Sequence, residues 1–203
     1  MNPQSGKLCF VYCIKRLANA ISIHEPRSRF FRKWRRTVNL AKNYALNYNP
    51  IDTVEDIFAS KSYELERRNA HEVAVEVQGK WNNMLLFFSW EENMRCLHLS
   101  CLMDIKSTIE DRTKIFELMA LANEELWIGH FSYWTDQNMP VFKHSIIIDD
   151  SDRDIFESKI AQIIDIAIKE CERMYPIFHV VLTKGMNPQL ALYPMMMETA
   201  GQA

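Results

Sequence analysis

Residues 72–103 read EVAVEVQGKWNNMLLFFSWEENMRCLHLSCLM, and the period-2 patterns inside this stretch decide the fold. Val73, Val75 and Val77 alternate with Glu72, Ala74, Glu76 and Gln78. That is the pattern of a half-buried strand, because successive strand side chains point to opposite faces. Gly79 supplies the turn. Met84–Trp90 is apolar at consecutive positions through Leu85, Leu86, Phe87 and Phe88, which suits a central strand covered on each side. Glu91-Glu92-Asn93 turns the chain again, and Leu97, Leu99, Cys101 and Met103 then alternate with Cys96, His98 and Ser100. The spacing predicts an antiparallel meander.

Working outward to the N-terminal side, Tyr63, Leu65 and Arg67 begin a weaker strand. Before it, Asn49-Pro50 places a cap residue ahead of a proline, a good helix start. Ile51, Val54, Ile57 and Phe58 form one apolar stripe of a short helix ending near Ser60, with early acids suited to the positive end of the helix dipole.

On the C-terminal side, Ser107 and Thr108, with Glu110 and Asp111 three residues beyond each, give two overlapping capping-box signals. The helix they open carries Ile115, Leu118, Met119, Ala122 and Leu126 on one face. Trp127–Trp134 and Pro140–Asp149 read as a hairpin across Asp136-Gln137-Asn138. Ser151 or Asp152 starts a long helix with Phe156, Ile160, Ile163, Ile164, Ala167 and Cys171 at helical spacing. Pro176 kinks this helix or ends it. Continuation to Lys184, stopped by Gly185, is favoured over a strand at Ile177–Leu182. Asn187-Pro188 opens a last short helix towards Thr199. Strands come in runs rather than alternating with helices, so the expected class is α+β, an antiparallel sheet of five to six strands with helices before, between and after them.

The 203 residues, 48% of them hydrophobic, suffice for one core. No apolar run approaches the roughly 20 residues that span a bilayer. Five scattered cysteines (Cys9, Cys13, Cys96, Cys101, Cys171) fit reduced thiols and a cytoplasmic location better than a disulfide framework. Leu8–Ile14 is apolar, but Lys15 and Arg16 follow at once, and no cleavage site closes an export signal.

Charge is divided sharply. Residues 1–48 hold ten Lys/Arg against the single acid Glu25, while the remainder holds 14 basic against 25 acidic residues. The expected organisation is therefore a basic N-terminal extension over 1–44, weakly structured or helical, followed by one domain over 45–203. Within the extension, Arg27, Arg29, Arg32, Lys33, Arg35 and Arg36 interleave with Phe30, Phe31 and Trp34. This composition suits three roles: phosphate neutralisation with base stacking, contact with an anionic membrane, or a solvated tail.

Several segments resemble the YbjN-like family of bacteria. They are Asn49-Pro50-Ile51-Asp52, Val73–Trp81, Leu86-Phe87-Phe88-Ser89-Trp90, Ala122–Phe131 and Cys171-Glu172-Arg173-Met174-Tyr175-Pro176. The likeness runs in order over residues 47–203 and stops at the basic extension. It implies a fold similar to type III secretion chaperones, a sensory transduction regulator role, a protein partner or client, a homodimer, and no enzymatic activity or catalytic residues.

The residues themselves offer little chemistry. Cys96, His98 and Cys101 cannot converge on one ion if they lie on a strand, since 96 and 98 face one side and 101 the other. A hairpin centred on Gln137 sets His130 opposite His144, but two further metal ligands are missing. Glu91-Glu92 and Glu124-Glu125 are adjacent and diverge, unlike a general acid/base pair. Five isolated glycines make no phosphate loop. No catalytic, cofactor or metal residue is expected. The aromatic set Trp127, Phe131, Tyr133 and Trp134 divides between core and a partner or dimer surface. On a strand, 127, 131 and 133 share one side and 134 takes the other. The Met195–Met197 run is either helix packing or an adaptable surface.

Overall fold

The computed structural model describes residues 49–59, 63–148 and 153–199, all within the unit Leu46–Ala203. Helix α1 (Pro50–Ala59) opens on Asn49, whose Oδ1 accepts the Ile51 N–H at 3.0 Å. Its apolar stripe is buried, while Asp52 and Glu55 each meet Arg67 at 2.7 Å.

Strands β1 (Glu64–Asn69), β2 (Glu72–Gln78), β3 (Asn83–Glu91) and β4 (Cys96–Leu102) follow as the expected meander. A 3-10 turn at Glu92–Met94, closed by Arg95 in the left-handed region, links β3 to β4. Helix α2 (Arg112–Glu124) precedes the hairpin of β5 (His130–Trp134) and β6 (Met139–Ile147). Helices α3 (Arg153–Lys184) and α4 (Pro188–Thr199) complete the described chain. All the described strands pair antiparallel in one six-stranded sheet of order β1-β2-β3-β4-β6-β5, the α+β architecture that runs of strands imply. The returning hairpin strand β6 inserts between β4 and β5, leaving β5 and β1 as the two edges.

Register divides the side chains. Val73, Val75, Leu86, Phe88, Leu97, Leu99, Cys101 and Phe142 share the face that packs with α1, α2, α3 and α4 in one apolar cluster. On the opposite face Leu85, Phe87, Leu102 and Val141 are buried as well, matching the two-sided apolar reading of β3. Each fully buried Phe or Leu of this kind contributes about 2–3 kcal/mol relative to exposure. The Arg68 guanidinium lies 5.2 Å from the Phe87 ring centroid.

Helix α3 runs through Pro176 without a break to Lys184, and Gly185 then adopts φ +64°, so the strand alternative at Ile177–Leu182 is excluded. Asn187 Oδ1 caps α4 by accepting from the N–H of Gln189 and of Leu190. The expected start of α3 at Ser151 or Asp152 and the end of β6 at Asp149 lie outside the described residues, as does the helix end near Ser60.

Two local expectations are corrected. The capping-box residues Ser107 and Thr108 do not open α2, which begins at Arg112. Thr108 forms a separate turn, its N–H and Oγ1 both donating to Asp111 Oδ2, while Ser107 Oγ donates to the Asn138 carbonyl at 2.8 Å. The long-range partner wins over the local cap. The hairpin is also wider than expected. Trp134 pairs with Met139 across four turn residues, with Asn138 at φ 52°, and the first strand starts at His130, three residues later than Trp127.

Candidate functional site

Strand β5 and the turn before it carry the aromatic residues singled out by the sequence, and the structure separates their fates. Gly129 sits at φ +74°, a left-handed conformation that L side chains rarely adopt, and a Cβ there would lie 2.2 Å from Phe142 Cζ. The chain between α2 and β5 therefore bends sharply before pairing begins. Trp127 falls in that bend, not on the strand, and its side chain is 99% exposed, with Ile128 at 41%. The shared side expected for 127, 131 and 133 thus holds only for the last two.

Phe131 is core, 3% exposed and edge-on to Phe142 and Phe178 at 5.5 and 5.6 Å. Tyr133 is a structural latch. Its ring meets Phe116 edge-on at 5.2 Å and lies under the Arg112 guanidinium at 5.6 Å. Its hydroxyl is 2.8 Å from Ser107 Oγ and also donates towards Asn138 Oδ1 at 3.4 Å. Arg112 also donates to Asn138 Oδ1 at 2.8 Å, tying the hairpin turn to the start of α2. Trp134 pairs with Met139 on the face away from the helices and is half-buried. Of the four, Trp127 alone is bare.

Asn123, near the end of α2, reaches the same strand. Its Oδ1 accepts the Phe131 N–H at 2.7 Å and its Nδ2 donates to the Phe131 carbonyl at 3.0 Å. Nothing in local sequence signals this pairing, because it depends on where the Gly129 bend brings the strand. Trp127, by contrast, had a signal in Gly129 itself, a residue that interrupts a strand pattern.

Among the described residues the histidines do not form a ligand set. His130 pairs with Lys143 and His144 with Leu99, so His130 and His144 are not opposite one another. The turn is four residues wide, which shifts the register and sends the two side chains to different faces. His144 joins Ile146, Leu97, Leu99, Phe88, Ile160 and Ile163 around a small apolar depression, where burial, with His130 nearby, holds its pKa below the ordinary value. His98 lies on the other face, its Nδ1 2.7 Å from Ser145 Oγ and its Nε2 3.1 Å from Ser100 Oγ. Burial, with Lys143, His130 and His144 nearby, lowers its pKa to about 4. With both ring nitrogens engaged, it holds structure rather than relaying protons.

Cys96 and His98 share one face and Cys101 the other, as strand geometry requires. Among the described residues no three His, Cys, Asp or Glu side chains gather as a metal site. The thiols of Cys96 and Cys171 are pushed up by burial, which disfavours the reactive thiolate. Also among the described residues, no helix is long and apolar enough to cross a membrane. The basic cluster Arg27, Arg29, Arg32, Lys33, Arg35 and Arg36, and the side chains of Met195–Met197, lie outside what the structure describes.

The fold and this surface define an α+β scaffold presenting one bare aromatic turn. The chain belongs to the YbjN family, described as "Putative bacterial sensory transduction regulator", which matches residues 50–179. No curated protein and no solved structure matches it, so the likeness to type III secretion chaperones rests on the family resemblance alone.

Proposed function

We propose that the chain is a non-catalytic, protein-binding regulator of the bacterial cytosol, acting as a homodimer and meeting its partner or client through the turn at Trp127 and Ile128. The observation that carries this reading is the near-complete exposure of Trp127 on a turn whose shape is fixed by Gly129 against Phe142. A large aromatic exposed to water on a turn is the residue type that dominates binding hot spots. The family's regulator description supports the same reading. In this proposal its body spans 45–203 and 1–44 form a basic extension.

The test is affinity capture from a bacterial extract with the full wild-type chain and with Trp127→Ala. A protein captured by the wild type and lost in the variant, with the melting temperature unchanged, supports the reading. The same captured set in both overturns the role of Trp127. Light scattering on the wild-type chain tests the homodimer, and a monomer at all concentrations overturns that part.

A second reading has the extension contact nucleic acid or an anionic membrane. It is favoured by the six basic residues Arg27, Arg29, Arg32, Lys33, Arg35 and Arg36 interleaved with three aromatics. Binding to RNA, DNA or anionic vesicles that weakens steeply with salt, and disappears when these six become Ala, supports it. Absence of binding at low salt excludes it.

A further inference from the structure

The two edges of the sheet are unlike each other. Strand β1 reads ELERRN, with four charged residues in six and a register irregularity between Arg67 and Asn69. Charge and a bulge are the usual means of keeping an edge from pairing with another chain. Strand β5 reads HFSYW. It has no Lys, Glu, Asp or Pro and no break in its register with β6, and three of its five residues are aromatic. By composition this is an edge that invites strand addition.

What lies on that edge is Asn123. In an antiparallel pair, alternate residues direct both main-chain groups at the partner strand and the residues between direct theirs away. Both Phe131 groups bond to Asn123 and so point to the free side, away from β6. The carboxamide offers one donor and one acceptor in the manner of a peptide unit, and occupies the place an added strand would take. We infer that Asn123 plugs the β5 edge and prevents a second copy of the chain from pairing there, β5 against β5. The next residue directing its main chain to the same side is Tyr133, two positions on, so an added strand that cannot pair at Phe131 has one site left in β5 and gains too little to hold. The inference is independent of the partner assigned to Trp127. It concerns which surface stays closed.

The experiment compares full-length wild type, Asn123→Ala and Asn123→Asp by sedimentation velocity from roughly 1 to 100 µM, the range where weak pairing is visible. Asn123→Ala is expected to sediment as a larger, concentration-dependent species than wild type, with at least tenfold tighter self-association. Asn123→Asp, which puts a carboxylate on the edge instead of the plug, is expected to stay at the wild-type mass because charge restores the protection. A folded Asn123→Ala that sediments as wild type at every concentration overturns the proposal. So does association of Asn123→Asp as tight as that of the Ala variant. Should the Ala variant not fold, hydrogen exchange on the wild-type chain decides. The Phe131 amide, though at an edge, is expected to exchange as slowly as that of Ser132, and rapid exchange overturns the plug.

Discussion

The indole N–H of Trp81 donates to the main-chain carbonyl of Glu172, 3.1 Å away. That carbonyl would ordinarily accept the N–H of residue 176 one helical turn on, and residue 176 is Pro176. A proline inside a helix lacks that N–H and orphans the carbonyl four residues before it. Trp81 supplies the missing donor from the β2–β3 turn. The Glu172 side chain holds the same turn from the other side, its Oε1 accepting the Lys80 N–H at 2.8 Å. This is the physical reason that α3 continues past Pro176, and it explains why a half-exposed tryptophan lies at that turn.

Trp81→Phe is therefore expected to destabilise the fold by about 1 kcal/mol, the net worth of one hydrogen bond at a partly hydrated site. In a Pro176→Ala background the helix regains its own donor to Glu172, so the same substitution is expected to cost less. Ring-packing changes are common to both backgrounds and cancel in the cycle. Urea denaturation of the four proteins checks this, and equal costs in both backgrounds would sink the pairing.

His98 gives a pH dependence whose sign follows from its environment. Burial first, then Lys143, His130 and His144, holds its folded pKa at about 4 against 6.5 ordinarily. In the unfolded chain it takes up a proton as pH falls through about 6.5, whereas the folded chain resists until about 4. Its contribution is thus fully present above pH 6.5 and is lost progressively between 6.5 and 4, by at most about 3 kcal/mol. Carboxylates titrate in the same range, so the measurement is the difference between wild type and His98→Gln. The gap between their stability curves is expected to change with pH across that window, and parallel curves would count against the assignment.

Phe131 and Trp127 differ in kind although the sequence grouped them. Phe131→Ala removes a ring packed against Phe142 and Phe178 and is expected to cost about 3–5 kcal/mol. Trp127→Ala removes a side chain 99% in water and is expected to change stability by less than about 0.5 kcal/mol. Thermal denaturation of both variants checks the contrast.

These residues also mark how far sequence reasoning reached. Each strand of residues 72–103 is legible because a buried face imposes period 2, and the first and last helices because their caps at Asn49 and Asn187 are local. Strand order was not legible, since nothing local tells β6 to insert between β4 and β5. The register of His130 failed by half a residue of turn centre, which was enough to move His144 to the other face. The start of α2 is not legible locally because Ser107 bonds Asn138, 31 residues away. Asn123, Trp81 and the latch at Tyr133 all act across long separations, where pattern carries no signal. Trp127 differs from these: the alternating pattern ends at Gly129, whose left-handed backbone breaks it locally.

Gly129 provides the last test. Its φ of +74° places any L residue in a left-handed conformation, and a methyl group there would meet Phe142 at Cζ, Cε1 and Cε2, all within 2.9 Å. Phe142 is fully buried and edge-on to Phe131, so its ring has nowhere to retreat. The conformational cost of about 1–2 kcal/mol and the overpacking cost of about 1–3 kcal/mol act together, and Gly129→Ala is expected to lose about 2–5 kcal/mol in urea denaturation. Because the substitution deforms the bend that presents Trp127, it is also expected to weaken partner capture as Trp127→Ala does, but with loss of stability. A Gly129→Ala protein as stable as wild type would mean that neither the left-handed backbone nor the contact with Phe142 constrains residue 129.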